Sequence, residues 1–184
     1  MGPSGSGKSS LLAFAAGFLD PVFKAQGNIY LDGKNITGLP ANKRRIGLMF
    51  QDALLFPHMS VGENLAFALI RKKGQSRSDR QAIVEQALVD ADMAGLADRD
   101  PATLSGGQRS RIALMRVLLA EPGALLLDEP FSKLDTQLRN QIREFVFAEA
   151  KKRNLPVLLV THDLEDAEAA GGRTVVLTET DCEQ

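Results

Sequence analysis

The chain has 184 residues, 44% hydrophobic and 24% charged, with a formal net charge of −1. These values fit one globular domain of ordinary size and exclude a disordered chain, and the near-neutral balance gives no footprint for nucleic acid, so no nucleic-acid partner is expected. The single cysteine, Cys182, excludes an internal disulfide and a cysteine-rich metal site and suits a reducing cytoplasm.

Residues 2–7 form a Gly/Ser-rich loop that opens into a helix predicted from Lys8 to about Gly17. Residues 28–33 read as a short strand and turn, and Ile46 to Phe50 as a strand ending at Gln51. A helical middle follows, with apolar residues at helical spacing over Val61 to Ile70, Arg77 to Ala91 and Gly106 to Ala120. Ala124 to Leu127 and Val157 to Val160 are continuous apolar runs, as in strands of a parallel sheet covered on both faces, with Gln137 to Arg153 as the crossover helix. Thr174 to Leu177 is predicted to be a last strand. The fold class is therefore α/β with a helical insert. No apolar run reaches the ~18 residues of a membrane span, and no charged-then-apolar leader is read at the start. Work at a membrane would require docking on a chain that crosses it. The basic triplets at 43–45, 71–73 and 151–153 read as solvated faces.

Gly2, Pro3, Ser4, Gly5, Ser6, Gly7, Lys8 and Ser9 satisfy G-x-x-x-x-G-K-[ST]. Triphosphate is a dense anion and needs several inward N–H donors. Glycines let the backbone curl into that nest, and the following helix adds the positive end of its dipole. Lys8 is expected to reach the β- and γ-phosphates, the Ser9 hydroxyl to bind Mg²⁺, and Ser10 to donate to the α-phosphate. The competing reading is a flexible Gly/Ser segment before a helix. Only Met1 precedes the pattern, whereas a phosphate loop should follow a strand.

Three further features stand downstream. Leu104, Ser105, Gly106, Gly107 and Gln108 expose donors at the start of a helix, although five residues alone also suit a capping turn. The strand from Ala124 ends in Asp128, placed to hold the Mg²⁺ shell. Glu129 stands one residue beyond it, placed to orient or deprotonate a water. A pair of solvated acids before Pro130 is the plainer alternative. His162 follows the strand that ends at Val160, where a lone histidine is more often structural.

In this order the motifs resemble those of ABC ATPases, and the resemblance covers almost the whole chain. It implies a P-loop NTPase with a RecA-like parallel-sheet core (residues 1–50 and 121–184) and an inserted helical subdomain (51–120). It implies that Ser105, Gly106, Gly107 and Gln108 face the γ-phosphate of ATP held by a second copy. Gln51 would touch the Mg²⁺ and water side and hinge the helical subdomain, and His162 would bond the γ-phosphate. Residues 132–135 resemble the loop that crosses the dimer interface, with Lys133 where alanine is usual. The tracts 50–57, 60–64 and 100–108 are similar to ATP-binding subunits of bacterial binding-protein-dependent importers of the thiamine, polyamine and ferric-ion type.

The expected function is accordingly ATP hydrolysis driving transport. The chain would sit peripherally on the cytoplasmic face of the bacterial inner membrane, with integral membrane permease subunits and, indirectly, a substrate-binding protein as partners. Leu54, Leu55 and Phe56 serve either to dock those subunits or as subdomain core. Rival readings are a non-transport ABC ATPase of DNA maintenance or the ribosome, an exporter subunit, and a module that no longer hydrolyses. The first lacks its usual sustained heptads here, and the presence of Gln51, Glu129 and His162 opposes the last. The resemblance also implies N-terminal strands and an adenine-stacking aromatic ahead of the loop. These are expected to be missing, with Met1 an internal methionine of a longer protein.

Overall fold

The computed structural model describes residues 1–2 and 5–177. In chain order the elements are α1 (Lys8–Ala16), β1 (Tyr30–Leu31), β2 (Lys34–Asn35), β3 (Ile46–Met49), α2 (Val61–Ala68), α3 (Arg77–Asp90), α4 (Gly106–Leu119), β4 (Ala124–Asp128), α5 (Thr136–Lys152), β5 (Val157–Val160) and α6 (Leu164–Ala170). β1 and β2 form an antiparallel hairpin. Its tight turn uses Asp32 (φ 49°) and Gly33 (φ 74°), the two positive φ values that match the twist of the flanking strands.

β3, β4 and β5 make a parallel sheet with β4 in the middle. Helices α2, α3 and α4 all lie between β3 and β4 in sequence. The architecture is α/β, as expected. The apolar run of β4 follows from its burial on both faces. Leu125 and Leu127 point into the main core with Met49, Ile112, Leu114, Phe131 and Ile142. Leu126, one residue out of phase, joins Leu12, Ala15 and Val160 beneath α1.

Register decides what emerges at the sheet's C-terminal edge. Met49 pairs with Leu127, and Asp128 pairs with Val160. Gln51 therefore leaves the sheet two residues beyond the paired Met49 and Glu129 one residue beyond the paired Asp128, with Thr161 beside Glu129. Ligands of open parallel sheets bind at this edge.

Helix boundaries agree with the periodicity to within a few residues. α1 ends where Gly17 takes the left-handed C-cap (φ 89°), whose N–H reaches Ala13 O and Phe14 O. α2, α3 and α4 each start with a capping box, from Ser60, Ser76 and Ser105.

Three readings change. Thr174 to Leu177 is not a strand. Among the described residues its backbone partner is Met1: Leu177 N–H donates to Met1 O at 2.7 Å, and the Met1 amino group donates to Val175 O. A cavity of about 210 Å³ lined by Lys8, Leu11, Leu158, Val160 and Val175 lies between this segment and β5. A ladder needs a run of neighbouring backbone, and one residue does not supply it. Second, α6 forms although its short, acidic sequence carries little apolar periodicity; Asp163 caps its first turn. Third, Arg44 is not part of a solvated face. It is buried and donates to Leu39 O, Phe14 O, Ala15 O and Thr37 O. Two of these are carbonyls in the last turn of α1, whose ordinary i+4 donors the helix no longer supplies.

Candidate functional site

The phosphate loop is shaped by backbone that side chains oppose. Gly5 (φ 86°) and Gly7 (φ 77°) lie in the left-handed region, and Gly7 stands at the N-cap of α1. The first-turn N–H groups of that helix have no intrahelical acceptors and carry the positive dipole end, which makes the loop an anion cradle. Lys8 is buried, its ammonium donating to Gly2 O at 2.9 Å and to Ser6 Oγ at 3.3 Å. Pro3 and Ser4 lie outside the described residues.

Ser9 Oγ donates to Asp128 Oδ1 at 3.1 Å across 119 residues of chain. α1 supplies the hydroxyl and the end of β4 supplies the carboxylate. Ser9, Ser10 and Asp128 share a cavity of about 290 Å³ whose apolar wall includes Leu12, Phe18, Phe23 and Phe50. A hydroxyl beside a carboxylate is a hard-oxygen donor pair. It fits Mg²⁺, which takes one or two carboxylates and completes its shell with phosphate oxygens and water. Among the described residues no cluster of three or more His, Cys, Asp or Glu is placed to hold a metal by itself.

Beyond Asp128 the chain turns sharply. Glu129 takes φ 46°, uncommon for a residue with a side chain, while its N–H donates to Val160 O at 2.9 Å. That bond extends the β4–β5 ladder by one residue and turns the Glu129 side chain toward the loop after β5. Glu129 Oε1 lies 3.3 Å from His162 Nδ1. Gln51 is placed differently: its Nε2 donates to Ser132 Oγ at 2.8 Å, and that hydroxyl donates to Glu129 O at 2.9 Å.

At residues 105–108, Ser105 Oγ accepts from Gln108 N at 3.2 Å and Gln108 Oε1 accepts from Ser105 N at 2.9 Å. Gly107 packs so closely on Leu138 that a Cβ would collide with it. The glycine thus allows α4 to approach α5. The cavity formed by Ser9, Ser10 and Asp128 includes none of residues 105–108. The structure therefore gathers Lys8, Ser9 and Asp128 around the loop, and Gln51, Glu129 and His162 at the sheet edge. The 105–108 turn stands apart from that cavity.

Several residues that hold these groups carried no motif. Asp166 is buried and ion-pairs with Arg143 at 2.9 Å; its other oxygen accepts from Thr161 Oγ1 at 3.0 Å. Arg139 ion-pairs with Asp163 at 2.5 Å. The backbone carrying His162 is thereby anchored on both sides. Asn64, fully buried, donates to Phe56 O, Met59 O and Ser60 O and accepts from Phe56 N–H. Arg116 lies over the Phe56 ring at 5.0 Å and donates to Leu54 O at 2.9 Å. Burial pushes its guanidinium pKa down from the usual value. An asparagine and an arginine inside otherwise apolar helical faces were the available signals. Together they shape the 53–60 loop, in which Leu54 is exposed and Leu55 packs on the main core.

A family model described as "ABC transporter" matches residues 1–132. The uncharacterized ABC transporter ATP-binding protein YnjD of Escherichia coli (strain K12) is 50% identical over 170 residues, covering 92% of this chain and 77% of that protein. The spermidine/putrescine import ATP-binding protein PotA 1 of Pseudomonas aeruginosa is 43% identical over 187 residues, covering 100% of this chain and 50% of that protein. Among solved structures, the dimeric ATP-binding cassette MJ0796, in a post-hydrolysis state bound to ADP and Pi, superposes with a TM-score of 0.79. It is 30% identical and covers 97% of this chain and 79% of that one. The phosphate loop, the parallel sheet and these matches together make the chain a member of the ABC transporter family and an ABC ATPase domain.

Proposed function

We propose that the chain binds and hydrolyses ATP with Mg²⁺ as the peripheral energy-supplying subunit of a bacterial solute importer. The observation that carries the ATP reading is the contact between Ser9 Oγ and Asp128 Oδ1, directly beside the buried Lys8. In this reading Gly2, Gly5, Ser6 and Gly7 cradle the phosphates with Pro3, Ser4 and Ser10. Lys8 places its ammonium on the β- and γ-phosphates. Ser9 and Asp128 hold the metal, with Gln51 on its water side. Mg²⁺, when bound there, neutralises charge on the phosphate oxygens. Glu129 takes the proton of the attacking water, and His162 bonds the γ-phosphate. Residues of this kind act mainly by positioning and by matching charge.

Ser105, Gly106, Gly107 and Gln108 are assigned to the ATP bound by a second copy. Their separation from the cavity of Ser9 and Asp128 supports that assignment, and the dimeric neighbour agrees with it. Residues 1–50 with 121–184 form the ATPase core, and 51–120 the lobe that meets the membrane permeases. No helix among the described residues is long and apolar enough to cross a membrane; in this reading the permeases cross it, and a substrate-binding protein acts through them. The import reading rests on relatives such as PotA 1.

Calorimetry of Mg-ATP against the chain and its Lys8→Ala variant tests the site. Affinity should fall at least tenfold, about 1.4 kcal/mol; equal affinities would overturn it. ATPase activity raised by detergent-solubilised permease subunits tests the transport role, and indifference to them would count against it.

A further inference from the structure

Two loops leave the sheet edge side by side, and two consecutive residues of one bond two consecutive residues of the other. Gln51 Nε2 donates to Ser132 Oγ at 2.8 Å, and Lys133 Nζ donates to Asp52 Oδ1 at 2.6 Å. Ser132 Oγ in turn donates to Glu129 O at 2.9 Å. The backbone of the presumed base and the amide of Gln51 are thus joined through one hydroxyl, with an ion pair one residue farther along. Register explains the juxtaposition, because β3 and β4 are paired neighbours and both loops begin just beyond Met49 and Asp128.

The loops differ in what else holds them. Residue 132 lies on a well-anchored turn: Ser132 N–H bonds Glu129 O, Leu134 N–H bonds Phe131 O, and Phe131 is fully buried. Gln51 and Asp52 are exposed, and the side chains of Lys133 and Asp52 retain 52% and 62% of their exposure. Arg116 holds the residues that follow through Leu54 O, so residues 51 and 52 themselves rest on the Gln51–Ser132 bond, a neutral contact between an exposed amide and a half-buried hydroxyl that holds backbone weakly. A second bond at the adjacent residue restricts the same backbone twice.

We propose that Asp52 and Lys133 are positioning residues whose ion pair latches the Gln51 loop to the loop after Glu129, so that Gln51 and Glu129 keep a fixed separation during turnover. This rests on the roles given to Gln51 and Glu129 above. Neither residue lines the cavity of Ser9 and Asp128, so the pair acts through its neighbours. Because it is half-exposed, its contribution is modest and salt-sensitive.

The test uses the full chain and its Asp52→Ala, Lys133→Ala, double-alanine and charge-swapped Asp52→Lys/Lys133→Asp variants. Hydrogen exchange without nucleotide reads the latch itself. Exchange over 50–56 should rise in each single variant, rise no further in the double, and return toward the parent in the swap. Steady-state kinetics with Mg-ATP read its purpose. Each single variant should lose about three- to fivefold in kcat with KM for ATP within about twofold, the double should lose no more, and the swap should recover most of it. At about 1 M salt the parent should fall to the level of the variants. Unchanged exchange, additive losses in the double, no recovery in the swap, or a loss confined to KM would each overturn the proposal. Normal turnover by Glu129→Gln with the expected exchange pattern would sink the role of Glu129 and, with it, the purpose but not the existence of the latch.

Discussion

Glu129 Oε1 and His162 Nδ1 stand 3.3 Å apart, although 33 residues separate them in sequence. The contact follows from the bond of Glu129 N–H to Val160 O, which carries the β4–β5 pairing one residue past the sheet. It also follows from Asp166 and Arg139, which fix the residues on either side of His162. The two side chains are thus presented together by backbone that is fixed on both sides.

Glu129→Gln should keep the shape of this corner while removing the carboxylate's capacity to accept a proton. Mg-ATP affinity should stay within about twofold, while phosphate release slows by about a hundredfold or more, the usual contribution of a general base. A nucleotide-bound dimer should accumulate on sizing. Turnover at the parent rate would remove Glu129 from the role of base.

Ser105 has one duty visible in the structure and a second in the proposed reading. Its hydroxyl caps α4, so Ser105→Ala should lower stability by about 1 kcal/mol in denaturant unfolding. Ser105→Arg should also abolish the ATP-dependent dimer while leaving ATP binding by the single chain intact. An ATP-dependent dimer from that variant would place the 105–108 turn away from the interface.

Asn64→Ala should be among the costlier single changes. It takes away the buried amide that now serves Met59 O and Phe56 N–H, while Phe56 O and Ser60 O keep backbone donors. A loss of about 2–3 kcal/mol is expected from chemical denaturation. A change within about 0.5 kcal/mol would mean that the loop finds other partners.

Asp79 closes the capping box of α3. Hydrogen bonds from the side chain and backbone of Ser76 hold its carboxyl below the usual carboxylate pKa. Because the folded pKa is depressed, its contribution is fully present above the unfolded pKa and fades as pH falls through the folded one. Protection of the first-turn amides of α3, taken relative to their intrinsic exchange rate at each pH, should therefore fall as the pH is taken down through and below the ordinary carboxylate range. Asp79→Asn should flatten that dependence, and an unchanged profile in the variant would assign it to another group.

Much was legible in the chain itself. The phosphate loop needs glycines at given places whatever surrounds it, and Gly5 and Gly7 take the left-handed φ that such a loop demands. The unbroken apolar run 124–127 announced a strand buried on both faces, and the sheet divides Leu125 and Leu127 from Leu126 accordingly. The helix starts read from apolar spacing hold, and the structure shows a capping box at each, in which a serine three residues before Glu, Asp or Gln satisfies its own neighbours.

Tertiary structure alone decided the partners of groups whose local sequence is silent. Arg44 reads as one of three surface cations, but α1 ends beside it and its carbonyls take the guanidinium inside. Thr174 to Leu177 has strand composition, yet a strand exists only where a neighbour offers a ladder, and here Met1 is its backbone partner. Asp166, Arg143, Asn64 and Arg116 fit no motif, since their partners arrive from other elements. Lys133 met Asp52 only because β3 and β4 became neighbours in one register. Sequence determined which groups can handle phosphate, because that depends on residue type and local backbone. Pairing between distant strands decided which of those groups stand together, because it depends on register.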